Sequence, residues 1–183
     1  MLILRNGRGA LGSKLSAIIQ ERHLSHELKL RPRAEIYHTW NIDDKSETTQ
    51  AIEFEKFSHF LKSREASLRL IFVSTKSKAD DWYVHYKQQA EVLALATFTE
   101  TFVIRIPTII GKGSLAGIRN GSLTPWGCYE LIDLQAAANA VFDLVNYNGL
   151  RRIHEVSGTT VPAKIIKSLF TDVPTNAPSD RST

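Results

Sequence analysis

Three glycines near the start of the chain limit its fold more than any other feature. Gly7, Gly9 and Gly12 have the spacing of a Gly-x-Gly-x-x-Gly motif. The motif follows the apolar run Leu2-Ile3-Leu4, which predicts a buried strand, and apolar residues at helical spacing come after it (Leu11, Leu15, Ile18 and Ile19). In such a unit the first glycine permits a tight turn, the second close approach of a pyrophosphate, and the third close packing of helix on strand. The sequence favours a dinucleotide-binding unit, with a glycine turn that binds no ligand as the alternative.

Strands and helices alternate along the rest of the chain. Apolar patterning predicts strands at residues 34–42, 68–73, 102–106 and 153–156, and helices at residues 47–64, 80–97, 131–146 and 163–170. Alternation of this kind is typical of a parallel sheet flanked by helices. We therefore expect an α/β protein with a reduced Rossmann fold, one domain over residues 1–170, and a mobile tail over residues 171–183, which contains two prolines and few apolar residues.

The region after the first helix indicates which dinucleotide would bind. An acidic residue about 20 positions beyond the glycine motif normally holds the adenine ribose hydroxyls, but no strand ending in Asp or Glu stands between Gln20 and Arg33. Arg8, Arg31 and Arg33 offer cations for a 2′-phosphate instead. The sequence therefore predicts NADP, with NAD as the alternative; Arg8 is equally well explained as a solvated loop cation.

Tyr83 and Lys87 lie four residues apart on a predicted helix, so their side chains share one face. A neighbouring ammonium favours the phenolate, so we expect Lys87 to lower the pKa of Tyr83 toward the working range of an acid or base. The strand before this helix ends in Val73-Ser74-Thr75, which brings a hydroxyl to the carboxyl edge of the sheet, where such folds bind ligands. Thr75 or Ser74 would hold a substrate oxygen, Tyr83 would pass the proton, and Lys87 would tune Tyr83 and hydrogen-bond a nicotinamide ribose.

The chain resembles the extended short-chain dehydrogenase/reductases, the nucleotide-sugar epimerases, dehydratases and ketoreductases. The resemblance runs from residue 1 to about 170 and rests on four segments: Asn6–Ser13 is similar to the family's glycine motif, Ile36–Trp40 to the strand flanking the cofactor, Phe72–Thr75 to the catalytic Ser/Thr strand, and Arg105–Gly113 to its Arg-Pro-(x)4-Gly-x-Gly segment. Tyr83 and Lys87 match its Tyr-x-x-x-Lys pair. The resemblance implies catalytic roles for Thr75, Tyr83 and Lys87. It implies cofactor contacts at Gly7, Arg8, Gly9, Ala10, Leu11, Gly12, Thr39, Trp40, Ser74, Lys87, Pro107, Thr108 and Ile109.

The resemblance also implies an activity and an assembly. It predicts an NADP-dependent ketoreductase or epimerase for a nucleotide-linked sugar in polysaccharide biosynthesis. It also predicts a homodimer formed by helices 47–64 and 80–97. Three segments depart from the family by being short, one of them the segment after Gly113, which in the family holds the nucleotide-sugar. Only about two dozen residues lie between Gly12 and Ile36, and seven between Thr75 and Tyr83. A strand that reads the adenine ribose and a substrate loop are missing there. A non-catalytic dinucleotide-binding sensor or complex subunit is therefore the competing hypothesis.

Composition excludes several other classes of protein. No run approaches the roughly 18 apolar residues of a membrane span, and the single cysteine, Cys128, cannot form an internal disulfide, which predicts a cytoplasmic protein. No Cys/His pairs have zinc-ligand spacing, so we expect no metal site. The net charge of +4 is spread along the chain rather than gathered in a stripe, which argues against nucleic acid as a partner.

Overall fold

A computed structural model describes residues 2–5, 9–24, 33–64, 67–110, 115, 118 and 127–166. Gly7, Arg8, Arg31, residues 111–114 and the tail 171–183 lie outside the described residues, as do residues 167–170 of the predicted helix 163–170. The predicted roles of these residues stay predictions. Residues 163–166 of that helix are described and are helical.

Besides the helical residues 163–166, the described chain forms eight strands and four helices. The strands are β1 (Leu2–Arg5), β2 (Ala34–Tyr37), β3 (Arg69–Thr75), β4 (Thr101–Ile106), β5 (Thr108–Ile109), β6 (Cys128–Ile132), β7 (Ile153–Glu155) and β8 (Thr159–Pro162). The helices are α1 (Gly9–Leu24), α2 (Glu47–Ser63), α3 (Trp82–Thr97) and α4 (Leu134–Asp143), the last followed by a 3-10 turn, Leu144–Asn146. No helix in the described ranges has both the length and the apolar character that crossing a membrane requires.

The main sheet confirms the predicted α/β fold with parallel strands. Its order is β1-β2-β3-β4-β7, and every neighbouring pair is parallel. The register pairs Arg5 with Tyr37 and Tyr37 with Phe72, while Thr75 pairs with Ile106. β3 and β4 therefore extend a few residues beyond β1 and β2 at the carboxyl edge.

Helices cover both faces of this sheet. α1 and α4 pack on one face with a core that includes Leu15, Ile18, Val141 and Phe142. α2 and α3 pack on the other face with Phe57, Leu61, Ala90 and Ala94. Residues of β2 and β3 alternate between these two cores, and nearly all are buried. Apart from the buried charged residues Glu35 and Arg69, residues 34–37 and 69–73 are buried and apolar, as expected of strands covered on both sides.

The first two crossovers have opposite hands. β1, β2 and β3 are parallel and follow one another across the sheet, yet α1 and α2 lie on opposite faces. Parallel crossovers are right-handed in about 98% of cases, so one of these two is an exception. In a doubly wound sheet the first crossovers run toward one side of the first strand and the later ones toward the other side. Helices then lie on both faces of the sheet although every crossover is right-handed. Here β1 is the edge of the described sheet, which accords with the missing ribose-reading strand.

The structure differs from the predicted elements in three places, two of them in a second sheet, β5-β6-β8. Residues Leu131 and Ile132, predicted as the start of a helix, belong to β6, because Asp133 caps α4 by accepting a 2.9 Å bond from the amide of Ala136. β8, antiparallel to β6, was not predicted. The predicted strand 34–42 ends at Tyr37, and residues 38–46 are irregular.

Candidate functional site

Most of the predicted site residues lie at the carboxyl edge of the main sheet. α1 begins at Gly9, whose φ of +76° is a conformation that favours glycine, and no atom of the described residues lies within 4 Å of the position a Cβ would take. The first turn of α1 contains no acidic residue. Its backbone amides and positive helix end are therefore available to an anion.

The rest of the described glycine motif forms the first turn of this helix. Ala10 and Leu11 follow Gly9, and Leu11 packs against the core beneath α1. Gly12 is buried. Burial of Gly12 is what close packing of the helix on the strand requires.

Tyr83 and Thr75 come together as predicted. The Thr75 side chain approaches Tyr83 closely enough to lower its pKa, and the hydroxyl of Thr75 accepts a 3.0 Å bond from the amide of Ser77. Asp81 fixes the start of α3 by accepting a 2.9 Å bond from the amide of Val84, which directs Tyr83 back toward the end of β3. A tyrosine hydroxyl paired with a threonine hydroxyl is an arrangement that can hold and protonate a carbonyl oxygen.

The pKa of Tyr83 corrects the predicted effect of Lys87. Burial raises the pKa of Tyr83 to about 12, and the nearby Thr75 side chain only partly offsets this. Lys87 makes no contribution, because its ammonium is turned elsewhere: Nζ donates a 2.7 Å bond to the carbonyl of Val73. Tyr83 is therefore protonated at neutral pH, and in the cofactor-free protein its hydroxyl is a weaker acid than that of an ordinary tyrosine.

Lys87 is itself almost completely enclosed, with 3% of its surface exposed. Nζ lies 4.5 Å from the centre of the Trp40 ring and 4.7 Å from that of Phe72. Burial lowers the pKa of Lys87 to about 7, against the opposing effects of the Glu91 and Glu53 carboxylates. At neutral pH a large share of Lys87 is therefore an uncharged amine.

Replacing Lys87 by methionine should reveal this burial as a pH dependence of stability. Between the folded pKa of about 7 and the ordinary value of 10.5, the unfolded chain binds more protons than the folded one. The free energy of unfolding of the wild type should therefore rise, relative to Lys87→Met, by about 3 kcal/mol from pH 7 to pH 10. Urea unfolding of both proteins at several pH values measures this difference.

Lys56 provides the control, because its pKa is shifted in the opposite direction from that of Lys87. Its hydrogen bond to Glu53 raises its pKa, so the stability it contributes is present at neutral pH and is lost as pH rises through the folded pKa. The difference between wild type and Lys56→Met should therefore fall with pH. A flat difference for Lys87→Met would contradict the prediction.

The other described residues that were predicted to contact the cofactor lie at the same edge of the sheet, but they differ in burial and in hydrogen bonding. Trp40 covers Lys87, while Thr39 is hydrogen-bonded to the Tyr37 side chain and so is turned toward α2. Ser74 is buried, and its hydroxyl has no hydrogen-bond partner in the part of the chain that is described. Pro107 is buried between β4 and β5, and Thr108 and Ile109 form β5, paired with Leu131 and Ile132.

Some residues of this region had no expected role. Lys45 forms a 2.6 Å ion pair with Asp81, and its Nζ lies 5.5 Å from the centre of the Tyr83 ring. Gln50 is fully buried and accepts a 2.7 Å bond from the Trp40 indole. Neither residue belongs to a motif, so only the fold identifies them. Across the described ranges, no group of three or more His, Cys, Asp or Glu residues could hold a metal ion.

Arg105, a residue of the family-like segment, anchors α3 to the sheet. Its guanidinium makes three contacts of 2.7–3.1 Å with Glu91 of α3 and one of 3.1 Å with Glu155 of β7. The hydrogen bonds to Glu91 raise the pKa of Arg105 above its ordinary value. The helix that carries Tyr83 and Lys87 is thus tied to β4 and β7 by one arginine.

No protein-family model matches the sequence, and no curated protein matches it either. Solved structures are similar in fold. A nucleoside-diphosphate-sugar epimerase from Staphylococcus aureus superposes with a TM-score of 0.71 at 12% identity, over 93% of this chain and 75% of that one. The Bordetella bronchiseptica enzyme WbmG, in complex with NAD and UDP, gives 0.68 at 10% identity over 93% and 78%. A GDP-L-fucose synthetase from Naegleria fowleri, bound to NADP, gives 0.63 at 8% identity over 93% and 77%. At these identities the likeness establishes the Rossmann-like α/β fold.

Proposed function

We propose that this protein is an NADP-dependent enzyme of the short-chain dehydrogenase/reductase type, a ketoreductase or epimerase for a nucleotide-linked sugar in polysaccharide biosynthesis. The observation that carries the proposal is the approach of the Thr75 side chain to Tyr83 at the sheet edge where α1 begins. When bound, NADPH would supply a hydride. Thr75 would orient the substrate carbonyl, and Tyr83, protonated at neutral pH, would give its proton to the carbonyl oxygen.

Several features support a dinucleotide at this edge. The open space beside Gly9, the uncompensated start of α1 and the unpartnered hydroxyl of Ser74 all suit a polar, anionic ligand. Similar folds have been solved with NAD and UDP and with NADP. A cytoplasmic location accords with the single cysteine, Cys128, which is exposed and free.

The direct test is oxidation of NADPH in the presence of a panel of 4-keto nucleotide sugars. Turnover of any panel member supports the reductase assignment. Interconversion of 4-epimers without net loss of NADPH supports the epimerase assignment. If NADPH binds but no panel member reacts in either assay, the enzymatic proposal fails.

Arg8→Ala should weaken NADPH selectively. A charge-assisted contact to the 2′-phosphate stabilises the complex by about 1.5–3 kcal/mol, so NADPH affinity should fall while NADH affinity hardly changes. Calorimetric titration of both cofactors measures this. Arg151→Ala is the control, because it removes the same charge from an exposed residue before β7, at the opposite edge of the sheet. Tighter binding of NADH than NADPH by the wild type would show that the role given to Arg8 is wrong.

The proposed assembly is a homodimer through the outer faces of α2 and α3. Ile52 on α2 and Trp82 and Val92 on α3 are exposed apolar residues, Val92 by 69%. Light scattering should therefore give twice the 20.6 kDa of one chain. Val92→Glu should produce the monomer, and Leu150→Glu, in an exposed loop before β7, should not. A wild-type monomer at micromolar concentration would contradict the dimer.

A second function, a non-catalytic dinucleotide-binding sensor or complex subunit, has one observation in its favour. Lys87, the residue that would hold the nicotinamide ribose, is bonded to the carbonyl of Val73 and covered by Trp40. Tight NADPH binding without turnover in the substrate panel would favour this function.

A further inference from the structure

Of the three groups that contact the amine of Lys87, one lies outside the sheet: the ring of Trp40, which also packs against Phe57 and Phe72. The carbonyl of Val73 and the ring of Phe72 belong to β3, where both residues are buried. Trp40 belongs to the irregular segment after β2 and is partly exposed. The indole therefore lies between the amine and solvent, and its rotation would uncover Lys87 without any change in the sheet.

Gln50 holds the indole in this position. Its side-chain carbonyl accepts a 2.7 Å bond from Nε1 of Trp40. Its amide nitrogen donates to the backbone carbonyls of Asn41, at 2.9 Å, and Asp44, at 2.5 Å. Because these two acceptors fix the amide nitrogen, the carbonyl oxygen must face Trp40. Burial of an amide side chain destabilises the fold unless the amide is hydrogen-bonded, and that of Gln50 is fully buried. All three hydrogen bonds of this side chain are to residues in the segment that carries Trp40.

We propose that Trp40 is a lid over Lys87, latched by Gln50, and that a dinucleotide reaches Lys87 only when the indole swings away. The inference rests on the proposed function for its ligand, whereas the lid itself is a property of the free protein. Binding is then coupled to opening, because the closed population reduces the apparent affinity in proportion to the fraction that is open.

Chemical labelling of the cofactor-free, full-length protein tests the lid without any activity. Lysines are methylated with formaldehyde and dimethylamine–borane for short times, and peptide mass spectrometry gives the rate at each position. Lys56, exposed on α2, is the internal reference. In the wild type Lys87 should react far more slowly than Lys56. Trp40→Phe, which loses the bond to Gln50 but keeps a ring, should speed labelling of Lys87 about tenfold, as loss of one hydrogen bond predicts.

Trp40→Ala should speed labelling further, and Trp82→Phe, an exposed tryptophan on α3, should leave Lys87 unchanged. Unfolding of a variant would also speed labelling of Lys87, so far-UV circular dichroism accompanies each measurement to show that the variant is folded. The rate at the exposed Lys56 corrects for differences in reagent. Equal Lys87 rates in the wild type, Trp40→Phe and Trp40→Ala would overturn the lid.

A separate measurement tests whether dinucleotide binding is coupled to the opening of Trp40. Gln50→Leu loosens the latch and leaves the indole in place, so calorimetry should show tighter binding of NADP⁺ than in the wild type. Unchanged or weaker binding by a folded Gln50→Leu protein would overturn the coupling. If the wild type does not bind NADP⁺ at all, the proposed function and the coupling both fail, while labelling still decides whether Trp40 covers Lys87.

Discussion

Tyr83→Phe should lower turnover of a reactive 4-keto nucleotide sugar about 10²- to 10⁴-fold, the usual contribution of a general acid. The substitution keeps the ring and removes only the hydroxyl that the Thr75 side chain approaches. Because burial raises the pKa of Tyr83 to about 12, the wild type should keep this acid in its protonated form through pH 9. Stopped-flow oxidation of NADPH at several pH values measures both effects, and the affinity for NADPH should not change.

Tyr86→Phe is the matched control on the same helix. The Tyr86 ring packs against Phe54 and Trp82, between α2 and the start of α3. Removal of its hydroxyl should leave turnover within a factor of about two, as expected for a surface change of at most about 0.5 kcal/mol. If Tyr83→Phe retains a tenth or more of the wild-type rate, Tyr83 is not the acid. If Tyr86→Phe falls as far as Tyr83→Phe, the loss reflects damage to the helix.

The parallel sheet could be predicted because its signals are local. Buried strands such as Leu68–Val73 read as continuous apolar runs, and Ser46 and Asp81 mark helix starts by their capping chemistry. The helical spacing of Leu11, Leu15, Ile18 and Ile19 likewise predicted a helix after the first strand, and α1 begins at Gly9. Each of these features depends on residues only a few positions apart.

The opposite-handed crossovers and the second sheet could not be predicted in this way. Strand order depends on which segments pair across the fold, and the shortness of the segment after Gly12 indicated a missing strand without indicating that β1 becomes an edge. β8 begins with two threonines in a polar context, and its pairing with β6 is antiparallel. Short, half-exposed strands of this kind carry a weak periodic signal.

In the site, too, the sequence predicts features that depend on the spacing of nearby residues, but it does not predict features that depend on burial in the fold. The four-residue interval between Tyr83 and Lys87 places both side chains on one face of the helix, but it does not determine how exposed either side chain is to solvent. Burial raises one pKa and lowers the other, so the expected effect of the lysine on the tyrosine was wrong. Gln50 could not be identified as a partner of Trp40 for the same reason: its role appears only when segment 38–46 folds back over α2.

Arg105→Met should lower the free energy of unfolding by about 3 kcal/mol, because it leaves the Glu91 carboxylate buried without a partner. Methionine keeps much of the arginine's aliphatic volume, so lost packing contributes little. Urea unfolding at neutral pH measures the change. Glu155→Gln is the control: it removes the other, half-exposed carboxylate from the same arginine and should cost less than about 1 kcal/mol.

A double variant separates the charge from the contact. Arg105→Met combined with Glu91→Leu replaces the whole pair by apolar side chains, and it should recover most of the stability lost by Arg105→Met alone. Because Glu91 lies one turn beyond Lys87 on α3, the single variant should also disturb the site. Turnover should therefore fall in Arg105→Met and rise again in the double variant. If the double variant is as unstable as the sum of the two single changes, the arginine stabilises the fold by packing and not by compensating a buried carboxylate.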